Sequence, residues 1–440
     1  MKGKLGPEHW LYAAFIVLIP FQSLLSTPFA GVELKLADLA FLLLAIVWLV
    51  NVLSGRRPVR LNWFHLLLGA YLLSVTLSTV TAVDPSRSGV KLVGKLYLGL
   101  IAFLSFEIVD SMDSLRVASF AWLSASCIVL FLGLIGIAGF YLGISDSPVN
   151  LVIHPVYGSL PAGNYPRIEG LFEYPAMFCN FLGITWMLAI ACLLNGWVKD
   201  RYVWIFGGML LIVNAFTLTP GLGGIFLSTG ILLWRLRAPG IYFGGRTYLI
   251  SGVMVAAIFL AGASVTLFSY DSGALNSPLS AGEISASHRV KAWKSAFRTF
   301  LQFPLLGKGP GVPVAEAMYR DPNGYNQILT DAHNTYLSVL AETGLTGFLA
   351  FFALVSWAVL RLFAQDNAAL RWVKLCLLLA LVDSFFYQGF TGSYEDARHL
   401  WVVIGLAAAA GKRGTFLLDL DAEDQTQTHL GQRNGSVKII

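Results

Sequence analysis

The sequence predicts an all-α integral membrane protein with about twelve transmembrane helices and one large extramembrane loop. Of its 440 residues, 56% are hydrophobic and only 12% are charged, whereas soluble domains carry roughly 25% charged residues. Apolar runs long enough to cross a bilayer recur from end to end, and the one long polar stretch between them covers residues 269–334. These features together exclude a soluble enzyme.

The apolar runs give the order of the predicted spans. A helix that crosses a bilayer needs roughly 17–25 mostly apolar residues. On that criterion the spans cover residues 10–28, 38–54, 63–81, 91–109, 116–144, 174–195, 202–218, 221–235, 247–268, 346–364, 370–391 and 398–411. No internal repeat relates one half of this series to the other.

The spans divide the chain into four parts. Residues 1–268 hold helices one to nine and include an outer loop at 145–173. Residues 269–345 form a lid loop with amphipathic helices, which is too small for an independent domain and should pack on the bundle. Residues 346–411 hold helices ten to twelve, and the polar segment 412–440 is predicted to be a disordered tail.

Basic residues in the short loops set the orientation, because Lys and Arg are enriched in cytoplasmic loops. With a cytoplasmic N-terminus, the cytoplasmic side holds most of them: Lys2, Lys4, Arg56, Arg57, Arg60, Arg116, Lys199, Arg201, Arg235, Arg237, Arg246, Arg361, Arg371, Lys412 and Arg413. Both termini are then cytoplasmic, and the loops at 145–173 and 269–334 face outward. The net charge of +5 is dispersed, so we expect membrane lipids but no nucleic acid as partners.

Residues 284–302 of the lid are predicted to form an amphipathic helix. One stripe of its helical wheel carries Arg289 with Trp293, Ala296 and Phe300, and the opposite side carries Lys291, Lys294 and Arg298. A guanidinium on the packing stripe either extends from a partly buried edge or points into a cavity that needs positive charge. We favour the cavity for Arg289, and a surface facing solvent or lipid headgroups for the other cations.

The string Asp331-Ala332-His333-Asn334-Thr335-Tyr336-Leu337 ends the lid and carries a candidate base. Imidazole can take up a proton near neutral pH. We expect Asp331 to cap the following helix and His333 to lie in its first turn, where the helix dipole disfavours imidazolium. Contact between Asp331 and the ring would act in the opposite direction. A solvated histidine at an ordinary helix start is the alternative that this string leaves open.

A neutral histidine beside several outer cations suits one type of reaction. The histidine removes a proton from an attacking hydroxyl, and the cations stabilise a departing phosphate. Pyrophosphate is a weak base that needs charge neutralisation rather than a general acid, and arginine supplies it through paired hydrogen bonds. The candidate cations are Arg289, Arg167, Lys91 and Lys95, with Arg87 and Arg398 as further candidates. Lys91 and Lys95 are four residues apart, so they face together toward either the donor or the headgroups.

A divalent metal site has weaker support. Such a site would need clustered carboxylates on the outer side. The Asp-x-Asp string at 419–421 lies in the cytoplasmic tail, which leaves Glu169 with Glu173, or Glu395 with Asp396. We therefore favour a mechanism without a metal or other cofactor.

The order and spacing of the motifs resemble the O-antigen ligase and O-antigen polymerase superfamily, over nearly the full chain. The resemblance rests on Arg289-x-x-x-Trp293, on Pro304-Leu305-x-Gly307-x-Gly309-x-Gly311, on His333-Asn334-x-x-Leu337-x-x-x-x-Glu342-x-Gly344-x-x-Gly347, and on Arg167-x-x-Gly170-x-Phe172-x-x-Pro175 before a span. By itself, the glycine string indicates a tight turn more than a phosphate cradle.

The resemblance implies an inverting, metal-independent glycosyltransferase of the GT-C class in the bacterial inner membrane. Such enzymes transfer glycan from undecaprenyl pyrophosphate to an acceptor on the periplasmic face. It implies that His333 is the base, and that Arg289 and Arg167 hold pyrophosphate or glycan. The expected binding surface also includes Lys91, Lys95, Asp331, Asn334, Tyr336 and Trp293.

The acceptor separates the members of this superfamily. Our first expectation is ligation of undecaprenyl-pyrophosphate-linked O-antigen to lipid A–core. An O-antigen polymerase and a protein O-oligosaccharyltransferase are the alternatives.

The chain departs from the family pattern at one place. Relatives often carry a Ser-Arg-Gly-like string where this chain reads Thr217-Leu218-Thr219-Pro220-Gly221. Either another cation replaces the missing arginine, or this position contributes little. A transporter is a further alternative, which the lack of a repeat and the scarcity of mid-span charges disfavour.

Overall fold

The structure is a computed structural model that describes the helices and most of the connections between them. The described residues are 5–22, 27–29, 32–144, 152–159, 162–219, 221–237, 286–320, 326–363, 370–389 and 397–412. The predicted span 247–268, the carboxylates Glu395 and Asp396, and the tail from residue 413 onward lie outside these ranges.

Twelve helices and three β-hairpins make up the described part of the chain. The helices are α1 (Pro7–Leu18), α2 (Leu36–Leu53), α3 (Trp63–Val80), α4 (Pro85–Ile108), α5 (Met112–Tyr141), α6 (Pro175–Leu194), α7 (Asp200–Ala215), α8 (Leu222–Arg237), α9 (Ala286–Gln302), α10 (Thr335–Leu362), α11 (Arg371–Gln388) and α12 (Arg398–Ala410). The strands are β1 (Thr27–Phe29), β2 (Val32–Leu34), β3 (Ile153–Ser159), β4 (Ala162–Ile168), β5 (Ala317–Arg320) and β6 (Asn326–Leu329).

The hairpins correct the all-α expectation to a mostly helical fold. Each strand pairs antiparallel with its neighbour in sequence, as β1 with β2, β3 with β4, and β5 with β6. The hairpins stand between helices, where Pro and Gly prevent a helix. The backbone groups of such segments must still find partners, and antiparallel pairing supplies them.

Six of the described helices are long and apolar enough to cross a membrane, namely α2, α3, α4, α5, α6 and α10. The shorter apolar helix α12 adds to these. The outer surface of α2 exposes large apolar residues such as Leu42 and Leu43, which soluble proteins rarely do over a whole helix face. This supports an integral membrane protein, while a total of twelve spans stays a prediction.

Helices α6 and α12 form the centre of the bundle. Both are apolar on every side and are buried over almost their whole length, as expected of a helix surrounded by other helices. Close approach of α12 to α4 depends on Gly405, where a Cβ would lie 2.6 Å from the carbonyl oxygen of Ala102. Such small-residue contacts are typical of helix packing in membranes.

Helix α10 consists of two helical pieces that meet at Gly344 (φ 64°, ψ −166°). The second piece therefore begins with amides that have no partner within the helix. The amide of Leu345 donates to the carbonyl of Pro304 at 2.9 Å. The amide of Thr346 donates to the carbonyl of Leu305 at 3.3 Å. The lid thus caps the second piece of α10.

The same lid segment, residues 304–309, also satisfies the end of the first piece. The amide of Lys308 donates to the carbonyl of Ala341 at 2.9 Å. The amide of Gly309 donates to the carbonyl of Glu342 at 3.0 Å. The segment that carries the glycine string is therefore a loop that docks into the break of α10. The spacing of its residues matches the backbone groups that the break leaves unpaired.

This docking predicts that Gly307→Ala is strongly destabilising. A Cβ at Gly307 would lie 2.3 Å from the backbone of Glu342, and its φ of +74° is unfavourable for any residue with a side chain. We expect a loss of about 2–4 kcal/mol of stability, seen as a lower apparent Tm of the purified protein. The matched control is Gly208→Ala in α7, where nothing lies within 4 Å of the added Cβ. Equal melting of the two variants would contradict the docking role.

Candidate active site

His333 occupies a strained backbone position between β6 and α10, with φ +47°. A non-glycine residue with positive φ is uncommon, and such residues cluster at functional sites. Among the described residues, Leu218 (φ 51°) is the other non-glycine case. Leu218 lies in the loop between α7 and α8, which contributes to the same region as described below.

The helix start differs from the sequence prediction. Asn334, not Asp331, is the N-cap of α10, and its side-chain oxygen accepts a hydrogen bond from the amide of Leu337 at 3.1 Å. His333 therefore precedes the helix instead of lying in its first turn. The physical reason is that the Asp331 carboxylate is held elsewhere, by the hydroxyl of Ser338 at 3.0 Å.

Asp331 and His333 form a side-chain pair at the surface of the lid. The Asp331 Oδ2 lies 3.7 Å from the His333 Nδ1, within ion-pair range but longer than a hydrogen bond. The carboxylate is fixed by Ser338, so it can orient the ring. About 30% of the imidazole and 40% of the carboxylate are exposed, which leaves the ring within reach of a substrate.

Burial and two charged side chains determine the protonation of His333. Burial lowers the pKa of the imidazole below its ordinary value, the Asp331 carboxylate raises the pKa, and the positive charge of Arg289 lowers it. The net direction is downward, so the ring is neutral at pH 7 and able to accept a proton. The dependence on Arg289 also places that guanidinium within electrostatic reach of His333.

Helix α9 carries Arg289 to this position through a small hydrophobic cluster of the lid. Trp293 and Ala296 are buried and Lys291 and Arg298 are exposed, as the helical wheel predicts. Lys294 and Phe300, predicted on opposite faces, are both half-buried. The cluster includes Ala332, the immediate neighbour of His333, and Ala341 of α10; its other members are Ala292, Val314, Ala315, Ala317 and Leu329, with Leu337 packed against it. Packing of this cluster fixes α9, and with it Arg289, against the start of α10.

Arg167 reaches the same region from β4. Its Nε donates to the carbonyl of Thr217 at 3.3 Å, and the next residue, Ile168, donates its amide to Phe216 at 2.9 Å. These bonds fix β4 on the strained loop between α7 and α8. Burial lowers the pKa of Arg289, Tyr387 raises it, and the charge of Arg167 lowers it. The charge of Arg167 thus acts on Arg289, and two guanidinium groups in one region are suited to binding an anion.

Asn334 and Tyr336, both expected on the binding surface, attach α10 to the end of α11. The Asn334 amide nitrogen donates to the carbonyl of Gly389 at 2.7 Å, and the Tyr336 hydroxyl donates to Phe385 at 2.6 Å. Between them, the Thr335 hydroxyl donates to the Gln388 side chain at 2.6 Å. These bonds hold the two residues in a structural clamp that positions His333. Trp293, similarly, is a packing residue that is 8% exposed.

Lys95 does not line an open cavity. It is 1% exposed and forms an ion pair with Glu342, with 3.3 Å between Nζ and Oε2. A buried charge needs such a partner, and the partner lies 247 positions away in sequence. Lys91, one turn earlier, lies against the lid, where a Cβ at Gly311 would meet its stem. The two lysines thus contribute to lid docking.

Of the remaining outer charges, Arg398 and Glu173 are also engaged in ion pairs. Arg398 contacts Asp38 at 3.1 Å and lies near the Tyr97 hydroxyl at 3.4 Å. Arg87 is exposed at the start of α4. Glu173, a possible metal ligand, forms an ion pair with Lys35. Within the described ranges, no three His, Cys, Asp or Glu side chains gather as metal ligands would.

Two residues of the site were not predicted from the sequence. Ser338 holds Asp331, and its position one turn into α10, on the side of the cap, was a signal for it. Tyr387 is buried at the end of α11 within electrostatic reach of Arg289. Nothing in the local sequence separates Tyr387 from a packing aromatic.

Comparison with known families gives one match. Residues 180–352 match the family model described as O-antigen ligase. The matched region holds Arg289, Asp331 and His333, and Arg167 precedes it. The match supports the resemblance inferred from the motifs that lie within residues 180–352, and with it a glycosyltransferase-like enzyme of the ligase and polymerase group, whereas the motif from Arg167 to Pro175 lies outside the matched region. No curated protein matches the chain.

Proposed function

We propose, from the similarity of residues 180–352 to O-antigen ligases, that this protein is an O-antigen ligase of the bacterial inner membrane. It transfers O-antigen from undecaprenyl pyrophosphate to a sugar hydroxyl of lipid A–core on the periplasmic side. The observation that carries the proposal is the partly exposed Asp331–His333 pair, 3.7 Å apart beside the start of α10 and within the matched region, with Arg289 in electrostatic reach of the ring.

In the proposed reaction His333 is the general base. Its Nδ1 faces Asp331, so the Nε2 accepts the proton from the acceptor hydroxyl. The hydroxyl oxygen then attacks the anomeric carbon of the donor glycan, and the bond from that carbon to the phosphate oxygen breaks. A single displacement inverts the anomeric configuration. General base catalysis of this kind contributes about 10²–10⁴-fold.

Arg289 and Arg167 stabilise the leaving undecaprenyl pyrophosphate. Its charge grows as the glycosidic bond breaks, and preorganised cations at that position lower the barrier. The mutual repulsion of the two guanidinium groups is relieved when the anion binds between them. No metal ion enters this mechanism.

The donor and the acceptor are both lipid-anchored, so each reaches His333 sideways from the bilayer. We expect this access between the helix ends beside His333, next to the place where residues 304–309 attach the lid to α10. Arg289 and Arg167 would then provide its cationic wall. Lys91 and Lys95 support the lid instead of contacting the donor.

The test is a transfer assay with the purified full-length protein. The donor is undecaprenyl-pyrophosphate-linked glycan, and the acceptors are lipid A–core, a second polyprenyl-linked repeat and a protein. We expect transfer to lipid A–core that is insensitive to EDTA. Transfer only to the second repeat or to protein would assign the polymerase or the protein O-oligosaccharyltransferase instead. Loss of activity in EDTA would contradict the metal-independent mechanism.

Asp331→Asn tests the role of the carboxylate beside the base. The Asp331 charge raises the pKa of His333, so its removal lowers that pKa further and weakens the base. We expect about a tenfold loss of kcat at pH 7, together with a shift of the acidic limb of the pH profile to lower pH. An unchanged limb would mean that Asp331 has only a structural role through Ser338.

A further inference from the structure

A polar cavity lies at the end of the bundle opposite His333. Its volume is about 960 Å³. It is formed by the start of α1, the α2–α3 loop, the α4–α5 junction and the last residues of α10 and α12. Helix α10 connects the two regions, because it begins beside His333 and Arg361 in its last turn lines the cavity. Nothing in the proposed transfer reaction uses this cavity.

The acidic residues of the cavity already have partners. Arg57 contacts Glu8 at 3.3 Å and Asp110 at 3.1 Å. Glu107 lies 3.3 Å from the Nε2 of His65. Each of the three carboxylates therefore has a nitrogen partner within the protein, so none of them calls for a metal cation.

The basic residues of the cavity are in excess. Five basic side chains line it against three acidic ones, an excess of two positive charges. Arg361 donates to the carbonyl of Gly411 at 2.6 Å. Lys412 donates to the carbonyl of Phe106 and lies 4.0 Å from the centre of its ring. Arg361 has no carboxylate among its described hydrogen bonds and ion pairs. Burial lowers the pKa of Lys412 to about 8, although the charges of Glu107 and Asp110 raise it, so a bound anion would further stabilise its charged form.

Exposed apolar residues beside the arginines of the α2–α3 loop form what we call the apolar rim, of which Trp63 lines the cavity itself. Leu53 and Leu61, at the two ends of the α2–α3 loop, are 78% and 80% exposed, and Trp63 is 67% exposed. Tryptophan is typical of the boundary between hydrocarbon and headgroups. Between the two leucines, Arg56 and Arg60 extend into the cavity lining. The cavity thus combines cations with an adjacent surface for acyl chains.

We propose that this cavity binds the phosphate headgroup of an anionic phospholipid. Arginine side chains match phosphate geometry, and basic segments beside transmembrane helices bind anionic lipids. A cavity of this size can hold a headgroup. The apolar rim distinguishes a lipid from a water-soluble phosphate. In the orientation of the proposed function, the lipid belongs to the cytoplasmic leaflet, although binding itself does not depend on transferase activity.

The experiment measures lipid binding to the purified full-length protein in uncharged detergent. Native mass spectrometry counts bound phosphatidylglycerol or phosphatidylcholine, and the apparent Tm is followed with each lipid and with inorganic phosphate. We expect phosphatidylglycerol to bind and to raise the Tm, phosphatidylcholine to have little effect, and inorganic phosphate alone not to reproduce the shift. The double variant Arg56→Ala/Arg60→Ala should weaken phosphatidylglycerol binding about tenfold or more.

The matched control is Lys199→Ala/Arg201→Ala. It removes the same charge from exposed positions at the same end of the bundle, outside the cavity. Both double variants should keep the lipid-free Tm, because all four side chains are exposed. Three outcomes overturn the proposal: unchanged binding in Arg56→Ala/Arg60→Ala, an equal loss in the control, or a Tm increase from inorganic phosphate equal to that from the lipid.

Discussion

His333→Ala is expected to reduce glycan transfer by about 10²–10⁴-fold, the usual contribution of a general base. The variant should fold, because the ring is partly exposed and the clamp between α10 and α11 uses Asn334 and Thr335 instead. Both histidine and alanine carry a Cβ, so the substitution leaves the positive φ at position 333 as it is. The measurement is the initial rate of transfer at equal amounts of folded protein.

The pH profile gives a second readout for the same residue. The pKa of His333 lies below its ordinary value of 6.5, and the neutral ring is the active form. The rate should therefore be independent of pH from neutrality upward and fall only as the pH drops below that lowered pKa. His333→Ala should lose this acidic limb. Retention of more than about a tenth of the activity, with the limb intact, would remove His333 from the mechanism.

Arg289→Lys is expected to reduce kcat by about 10²–10³-fold, as removal of one transition-state donor does. A lysine keeps the charge but loses the planar fork that binds two phosphate oxygens at once. In Arg289→Ala the pKa of His333 should also rise, because the guanidinium charge lowers it. The acidic limb of the pH profile then moves to higher pH, which a purely structural change would not cause.

The controls for Arg289 are on the same helix. Lys291 and Arg298 are exposed on the opposite side of α9, so Lys291→Ala and Arg298→Ala should change the rate by no more than about two- to threefold. If these variants lost as much activity as Arg289→Lys, the effect would come from the general positive charge of the lid. The prediction that Arg289 specifically binds the leaving pyrophosphate would then be wrong.

The sequence predicted features that depend on local pattern. Apolar runs located the long helices, and the wheel of the lid helix separated Arg289 from Lys291 and Arg298, because a buried helix face requires apolar neighbours at helical spacing. The family motifs placed His333 and the arginines in one functional set. In the structure the charge of Arg289 acts on His333 and the charge of Arg167 acts on Arg289, whereas their joint role in one site stays a prediction.

Features that depend on distant partners were predicted wrongly or not at all. Asp331 and Asn334 are both good N-cap residues, and the choice between them depends on contacts with Ser338 and Gly389. Lys95 looked like an outer cation because its partner, Glu342, lies in another helix. The hairpins escaped detection because the Pro- and Gly-rich strands lack the apolar alternation that marks a half-buried sheet.

The break in α10 has a consequence for biogenesis. Ribosomes synthesise residues 304–309 before residues 341–346, so the lid is complete in sequence before its docking partner exists. The backbone groups that close the break come from both segments. The lid therefore cannot reach its final conformation until α10 has left the translocon and entered the bilayer. A chain truncated before residue 341 should consequently expose the lid to protease, whereas the full-length chain should protect it.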